Sequence, residues 1–258
     1  MRVALTIAAS DSSSGAGVQA DLAVFRELGV YGVCAVTNVT SQNSQGVQHV
    51  NKVPPRMIAS QIDSVTRDFD VAACKVGMLL SPQAVSVVAE RIHRRRIPNI
   101  VLDPVMKAKR GETLLSEPAV KRLRKILLPM ALVVTPNVPE AEILTRLSVD
   151  SLKAAREAAN RLVEMGTKWA LVKGGHFDGD PVDVLSDGSQ TIEFPGTRLE
   201  KNMHGTGCVL SAAIAARLAL GEEVPDAVGY AKDYVTRAME HSIRLGKGGL
   251  DYFTGGQT

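Results

Sequence analysis

The stretch Asn202-Met203-His204-Gly205-Thr206-Gly207-Cys208 runs directly into Val209-Leu210-Ser211-Ala212-Ala213-Ile214-Ala215-Ala216. A Gly-Thr-Gly turn thus opens an apolar, alanine-rich segment that reads as a helix. Glycines let the backbone approach a ligand closely. The first amides of a helix have no partner in their own turn, and the helix dipole adds partial positive charge at the same place. Together these features suit a phosphate group or a developing oxyanion. A structural N-cap with a tight turn is the plainer alternative. Cys208 falls in the first turn, where the dipole favours the thiolate, although a small packed side chain fits the same position.

Outward from this turn, short apolar runs alternate with longer amphipathic ones. Strands are expected at 3–9, 33–39, 72–76, 100–102, 132–135, 170–173, 182–186 and 191–194. The last two flank Asp187-Gly188, a hairpin signal. Helices are expected at 18–28, 55–67, 82–95, 117–127, 139–147, 151–165, 207–220 and 225–244. Proline opens several of them, and Gly29, Gly166 and Gly221 stand where left-handed caps belong. Such alternation implies right-handed βαβ units, a mostly parallel sheet and helices on both faces. No linker, internal repeat or low-complexity segment interrupts the 258 residues, so one α/β domain over 1–258 is expected.

Ligands of such sheets bind beyond the carboxyl ends of the strands. The residues standing there are polar or glycine-rich at six successive strands. They are Asp11 with Ser14-Gly15-Ala16-Gly17, then Gln42-Asn43, Gly77-Met78, Asp103-Pro104-Val105-Met106, Thr135-Pro136-Asn137 with Glu140, and Lys173-Gly174-Gly175-His176. Asp103 and Glu140 could share a magnesium–nucleotide complex, since magnesium takes a few carboxylates, waters and phosphates; helix capping is the alternative for each. Asn137 precedes Glu140 by one turn and can face the same cavity. Lys173 before two glycines reads as a cation aimed at phosphate. Lys107, Lys109 and Arg110, ahead of Gly111, read as a basic lid loop or as an ordinary solvated loop. The Ser14–Gly17 loop lacks the third glycine of a dinucleotide fingerprint, and no Walker A pattern occurs.

The bulk properties exclude other classes. A net charge of +3 is weak. The clusters Arg94–Arg96 and Lys121–Lys125 sit at helix ends without aromatic interleaving, so no nucleic acid is expected. Three cysteines, at 34, 74 and 208, have no metal spacing and cannot all pair. No signal peptide or membrane-length apolar run is evident, which leads us to expect a cytoplasmic protein with no membrane partner.

Taken in order, Ala8-Ala9-Ser10-Asp11 through Asp21, Thr40-Ser41-Gln42-Asn43, Lys75-Val76-Gly77-Met78, Asp103-Pro104-Val105-Met106, Thr135-Pro136-Asn137 with Glu140, Lys173-Gly174-Gly175-His176 and His204-Gly205-Thr206-Gly207-Cys208 resemble the ribokinase-like superfamily. More closely, they resemble its hydroxymethylpyrimidine/phosphomethylpyrimidine kinases of thiamine biosynthesis, nearly end to end. The resemblance implies a three-layer αβα fold and two successive ATP-dependent phosphorylations of 4-amino-5-hydroxymethyl-2-methylpyrimidine, first to the monophosphate and then to the pyrophosphate. It implies that Asp21, Gln42, Met78 and Val105 line the pyrimidine pocket, with Asp21 facing the hydroxymethyl arm and Lys109 contacting phosphate. It further implies that Asn137, Glu140, Lys173 and Thr206 serve ATP, that Asp103 and Glu140 serve Mg2+, and that Gly205, Thr206, Gly207, Cys208 and Lys173 form the catalytic set, Cys208 receiving or relaying a proton. A homodimer is implied as well. Ala9 and Ser14 replace glycines common in the family's first loop, Lys107 is an extra charge, and Gly246–Leu250 matches the family's ending only loosely. A pyridoxal/pyridoxine kinase and a non-catalytic pyrimidine sensor are the alternative functions.

Overall fold

The computed structural model describes residues 1–106, 115–175, 180–200 and 203–252. A nine-stranded sheet is built from β1 (Val3–Asp11), β2 (Tyr31–Asn43), β3 (Gly46–Lys52), β4 (Val71–Val76), β5 (Ile100–Leu102), β6 (Val133–Val134), β7 (Trp169–Val172), β8 (Val182–Ser186) and β9 (Thr191–Pro195). Its order is β3-β2-β1-β4-β5-β6-β7-β8-β9. The six strands from β2 to β7 pair in parallel, and antiparallel strands close both edges.

Strand alternation divides the core into two layers. Leu5 and Ile7 of β1, Cys74 and Val76 of β4, and Leu102 of β5 face one side. There they meet α2 (Pro55–Asp68), α3 (Pro82–Arg95), α4 (Glu117–Arg122), α5 (Val138–Thr145) and α6 (Leu152–Glu164). Ala4, Ala73, Val101 and Leu171 face the other side, against α1 (Gly17–Glu27), α7 (Thr206–Ala219) and α8 (Val224–Glu240). These are the three layers expected. Ten of the fourteen residues of α7 are buried. Its small side chains suit a helix enclosed on all sides rather than one with a wet face.

The eight expected strands are all present. Gly29, Gly166 and Gly221 have positive φ at helix ends, as their positions suggest. Ser14 also takes a left-handed φ of 60°, the backbone that its family's glycine would adopt without strain. Four differences stand out. The segment expected as one helix over 117–127 divides into α4, a π-turn at Leu123–Leu127 and a 3-10 turn at Leu128–Met130. The last helix stops at Glu240 instead of reaching 244. Two features escaped the periodicity. One is β3, paired to a longer β2 through the turn between Asn43 and Gly46. The other is a hairpin of β10 (Ile243–Leu245) and β11 (Leu250–Tyr252).

Candidate active site

From each of the six strand ends singled out above, at least one residue borders a single cleft of about 510 Å³ at the carboxyl ends of the parallel strands: Asp11, Gln42, Met78, Asp103, Asn137 and Lys173. Its centre is the start of α7. Gly205 is the N-cap, with φ +77° and no side-chain cap. A Cβ there would lie 2.0 Å from the Gly15 carbonyl oxygen, so only glycine lets the turn press against the first loop. A Cβ on Gly207 would lie 3.3 Å from Lys173 Nζ and 3.9 Å from both Asp103 carboxylate oxygens. The first turn of α7 therefore presents bare backbone to Lys173 and Asp103, with Thr206 and Cys208 also on the cleft wall.

Asp103 and Lys173 end neighbouring parts of the sheet, and alternation turns both toward α7. Lys173 Nζ lies 3.6 Å from Asp103 Oδ1, and Ser211 Oγ of α7 donates to Asp103 Oδ2 at 3.3 Å. Burial works against the Lys173 ammonium, but Asp103 and Glu140 more than offset it and raise its pKa. Asn137 and Glu140 form a reciprocal capping box on α5: Glu140 N–H donates to Asn137 Oδ1 and Asn137 N–H to Glu140 Oε2, each at 2.9 Å. Burial pushes the Glu140 carboxyl up to about 7; Asp103 adds to this, while Lys173 and the amides of Asn137 and Met106 oppose it. Two buried carboxylates facing one ammonium form a donor set that a divalent cation would fit. Among the described residues, no three His, Cys, Asp or Glu side chains converge into a protein cage. A cation here would thus complete its shell with water and phosphate oxygens, as magnesium does.

The opposite end of the cleft is lined by Gln42, Met78 and Val105, together with Thr40 and His204. Asp11 anchors it. Its Oδ1 accepts from Ser13 N–H and Oγ at 2.8 Å, and its Oδ2 accepts from Ala16 N–H at 3.0 Å. His204 Nε2 lies 2.9 Å from Asp11 Oδ2 and 2.8 Å from Gln42 Nε2. Burial tends to raise the Asp11 pKa, but the His204 and Ser13 hydrogen bonds lower it overall. His204 also ties this end to the hairpin, since its N–H donates to the Asp251 carbonyl at 2.7 Å.

Three expectations need correction or lie elsewhere. Asp21 does not border the cleft; it is fully buried, and both its carboxylate oxygens lie 2.9 Å from Lys75 Nζ. A carboxylate on the inner face of α1 needs a cation once it is desolvated, and β4 supplies one. The Cys208 pKa is raised rather than lowered. Burial pushes it up to about 11, with Asp103 and Asp21 adding to the effect and Lys75 and the Gly17 amide opposing it. The dipole is a modest, screened term beside desolvation. Lys109, with the rest of the basic loop, and His176 lie outside the described residues. Sequence reasoning missed Lys75 as part of the site. Its signal was a lysine inside the apolar run Ala72-Ala73-Cys74-Lys75-Val76, where an ionised side chain needs a buried partner.

Comparison with known proteins agrees with this geometry. The model of the phosphomethylpyrimidine kinase family matches residues 11–252. A hydroxymethylpyrimidine/phosphomethylpyrimidine kinase of Streptomyces coelicolor is 45% identical over 95% of this chain and 91% of its own length. A bifunctional thiamine biosynthesis protein of Geobacter sulfurreducens is 44% identical over 95% of this chain, which spans 50% of that longer protein. Among solved structures, a phosphomethylpyrimidine kinase from Clostridium difficile superposes with a TM-score of 0.84 at 38% identity, covering 92% of this chain and 99% of that one. An ADP complex of a Bacillus subtilis pyridoxal kinase superposes with a TM-score of 0.92 at 35% identity, covering 99% and 97%. The chain belongs to the phosphomethylpyrimidine kinase family.

Proposed function

We propose that this chain, acting as a single kinase domain, transfers the γ-phosphoryl group of ATP to the hydroxymethyl oxygen of 4-amino-5-hydroxymethyl-2-methylpyrimidine and then phosphorylates the monophosphate to the pyrophosphate. The observation that carries the reading is the uncapped first turn of α7, bare at Gly207 and facing Lys173 and Asp103. In the first step the acceptor oxygen bonds to the γ-phosphorus as the bond to the bridging oxygen breaks, leaving ADP. The transition state is loose, so positioning and charge stabilisation carry most of the catalysis. The amides of Gly205–Cys208 and the Lys173 ammonium receive the migrating charge. The hydroxyl proton passes to a phosphoryl oxygen. Cys208 is protonated at neutral pH, given a pKa raised to about 11, and is not the base that takes it. In the second step the attacking phosphate oxygen is already ionised and has no proton to lose.

Asn137 and Glu140 serve the nucleotide end, and Asp103 with Glu140 would hold Mg2+ there. Bound Mg2+ supplies neutralisation of the phosphate charge. Gln42, Met78 and Val105 form the ring pocket: Gln42 can donate to a ring nitrogen and accept from the exocyclic amine, and Met78 packs on the ring. A homodimer is part of this reading, to be tested by sedimentation. No described helix is long and apolar enough to cross a membrane, and we place the activity in the cytoplasm.

A second reading is favoured by the close superposition on a pyridoxal kinase. One experiment separates the two. The protein is incubated with Mg2+ and ATP and either the pyrimidine alcohol or pyridoxal, and the products are weighed by mass spectrometry. Mono- and pyrophosphate of the pyrimidine are expected; phosphorylation of pyridoxal alone would replace this reading with the second.

A further inference from the structure

One charged pair lies sealed behind the cleft. The parallel register of β1 and β4 sets Thr6 beside Lys75, and alternation turns both toward α1. Asp21 meets them there. Lys75 Nζ lies 2.9 Å from each Asp21 oxygen, and Thr6 Oγ1 donates to Asp21 Oδ2 at 2.6 Å. All three residues are fully buried. The pair is also oriented. Lys75 backs the cleft floor and Asp21 does not. Gly77 leaves room at the lysine end, where a Cβ would lie 3.0 Å from Lys75 Nζ. Lys75 and Cys208 line the same cleft, and Lys75 is the strongest single charge acting on Cys208.

Stability alone explains such a pair poorly, because well-packed apolar side chains of similar volume often serve as well or better. Charge fixed in a dry, low-dielectric setting does act strongly on what develops beside it. We propose that the Lys75–Asp21 pair is a fixed dipole whose positive end, at the cleft wall that Cys208 also lines, stabilises the negatively charged phosphoryl group as it moves to the acceptor. Lys75 is a positioning residue in this scheme: it touches no substrate, and Asp21 and Thr6 hold its ammonium in place. The inference rests on the kinase reading above.

The test removes both charges together, so that neither is left buried and alone. In Lys75→Met/Asp21→Leu, kcat is expected to fall about 10- to 100-fold, while the melting temperature and the ADP dissociation constant stay close to those of the unmodified protein. A pair that only supports the fold would leave kcat unchanged in this folded variant, and that result overturns the proposal. If the apolar pair does not fold, Lys75→Gln/Asp21→Asn keeps hydrogen-bonding groups in place and is judged by the same split between kcat and ADP affinity. Turnover of the pyrimidine by the unmodified protein is measured first. Its absence would reject the kinase reading itself, whereas turnover with full activity in the charge-free variants rejects the dipole alone.

Discussion

Two lysine–aspartate pairs stand on the same face of the sheet and are built for different work. Lys75 and Asp21 are fully buried and make two contacts of 2.9 Å. Lys173 and Asp103 stand apart at 3.6 Å beside the cleft, and the lysine side chain keeps 17% of its surface exposed. The difference follows from position along the strand. Lys75 lies within β4 and is covered by α1 and α7, so its charge is satisfied completely by protein. Lys173 lies one residue beyond β7, at the cleft, beneath the open first turn of α7. The loose pair leaves an ammonium with capacity for another anion, and the tight pair does not. A lysine on an inward face is therefore a candidate for direct phosphate contact only where its own carboxylate is distant enough to be replaced.

Substitutions at the two pairs separate their roles. The largest effect is expected for Gly207→Val, which pushes branched carbon into the open pair: kcat should drop by about 10³-fold or more, with circular dichroism and the melting transition retained. Normal turnover would show that bare backbone is not needed there. Lys75→Met alone strands the Asp21 charge in the interior and should cost about 3–5 kcal/mol in urea unfolding. Lys173→Met should cost less stability, because Asp103 keeps its hydrogen bond from Ser211 and borders the cleft, but should lower kcat by roughly 100-fold. Equal stability losses in these two variants would erase the distinction between the pairs.

Smaller effects concern side chains rather than charges. Gln42→Leu removes both polar groups of the amide and should raise KM for the pyrimidine about tenfold, with KM for ATP nearly unchanged. An equal rise in both would move the ring pocket elsewhere. Cys208→Ser should change kcat the least, by about threefold or less, because a thiol raised to about 11 holds no charge at neutral pH. Alkylation by iodoacetamide, followed at Cys208 by peptide mass, should be slow at pH 8 and accelerate as pH climbs toward 11. Fast labelling at pH 7 would restore the thiolate.

Much of this was legible in the chain. Strand alternation and the glycine turn located the cleft, because both depend on local residue type and spacing. Asp103, Lys173, Asn137 and Glu140 were found at strand ends for the same reason. Asp21 was misplaced because one face of a helix does not reveal what it meets; only the β1–β4 register shows that Lys75 is waiting there. The Cys208 pKa was misjudged because sequence gives the helix dipole and conceals the depth of burial that overrides it. The strand β3 escaped because its residues are mostly exposed and carry no apolar alternation. The His204–Asp11–Gln42 contacts join residues as many as 193 positions apart, a closure that no local pattern encodes.

The hairpin of β10 and β11 closes the cleft from the C-terminal side. Asp251 pairs with Met203 and accepts from His204, Leu250 borders the cleft, and Gly248 N–H donates to Ser44 Oγ at 3.0 Å. The last strand of the nine-stranded sheet ends at Pro195. A nascent chain stalled on the ribosome before Leu250 would therefore carry every strand of the sheet and still lack one wall of its reaction chamber.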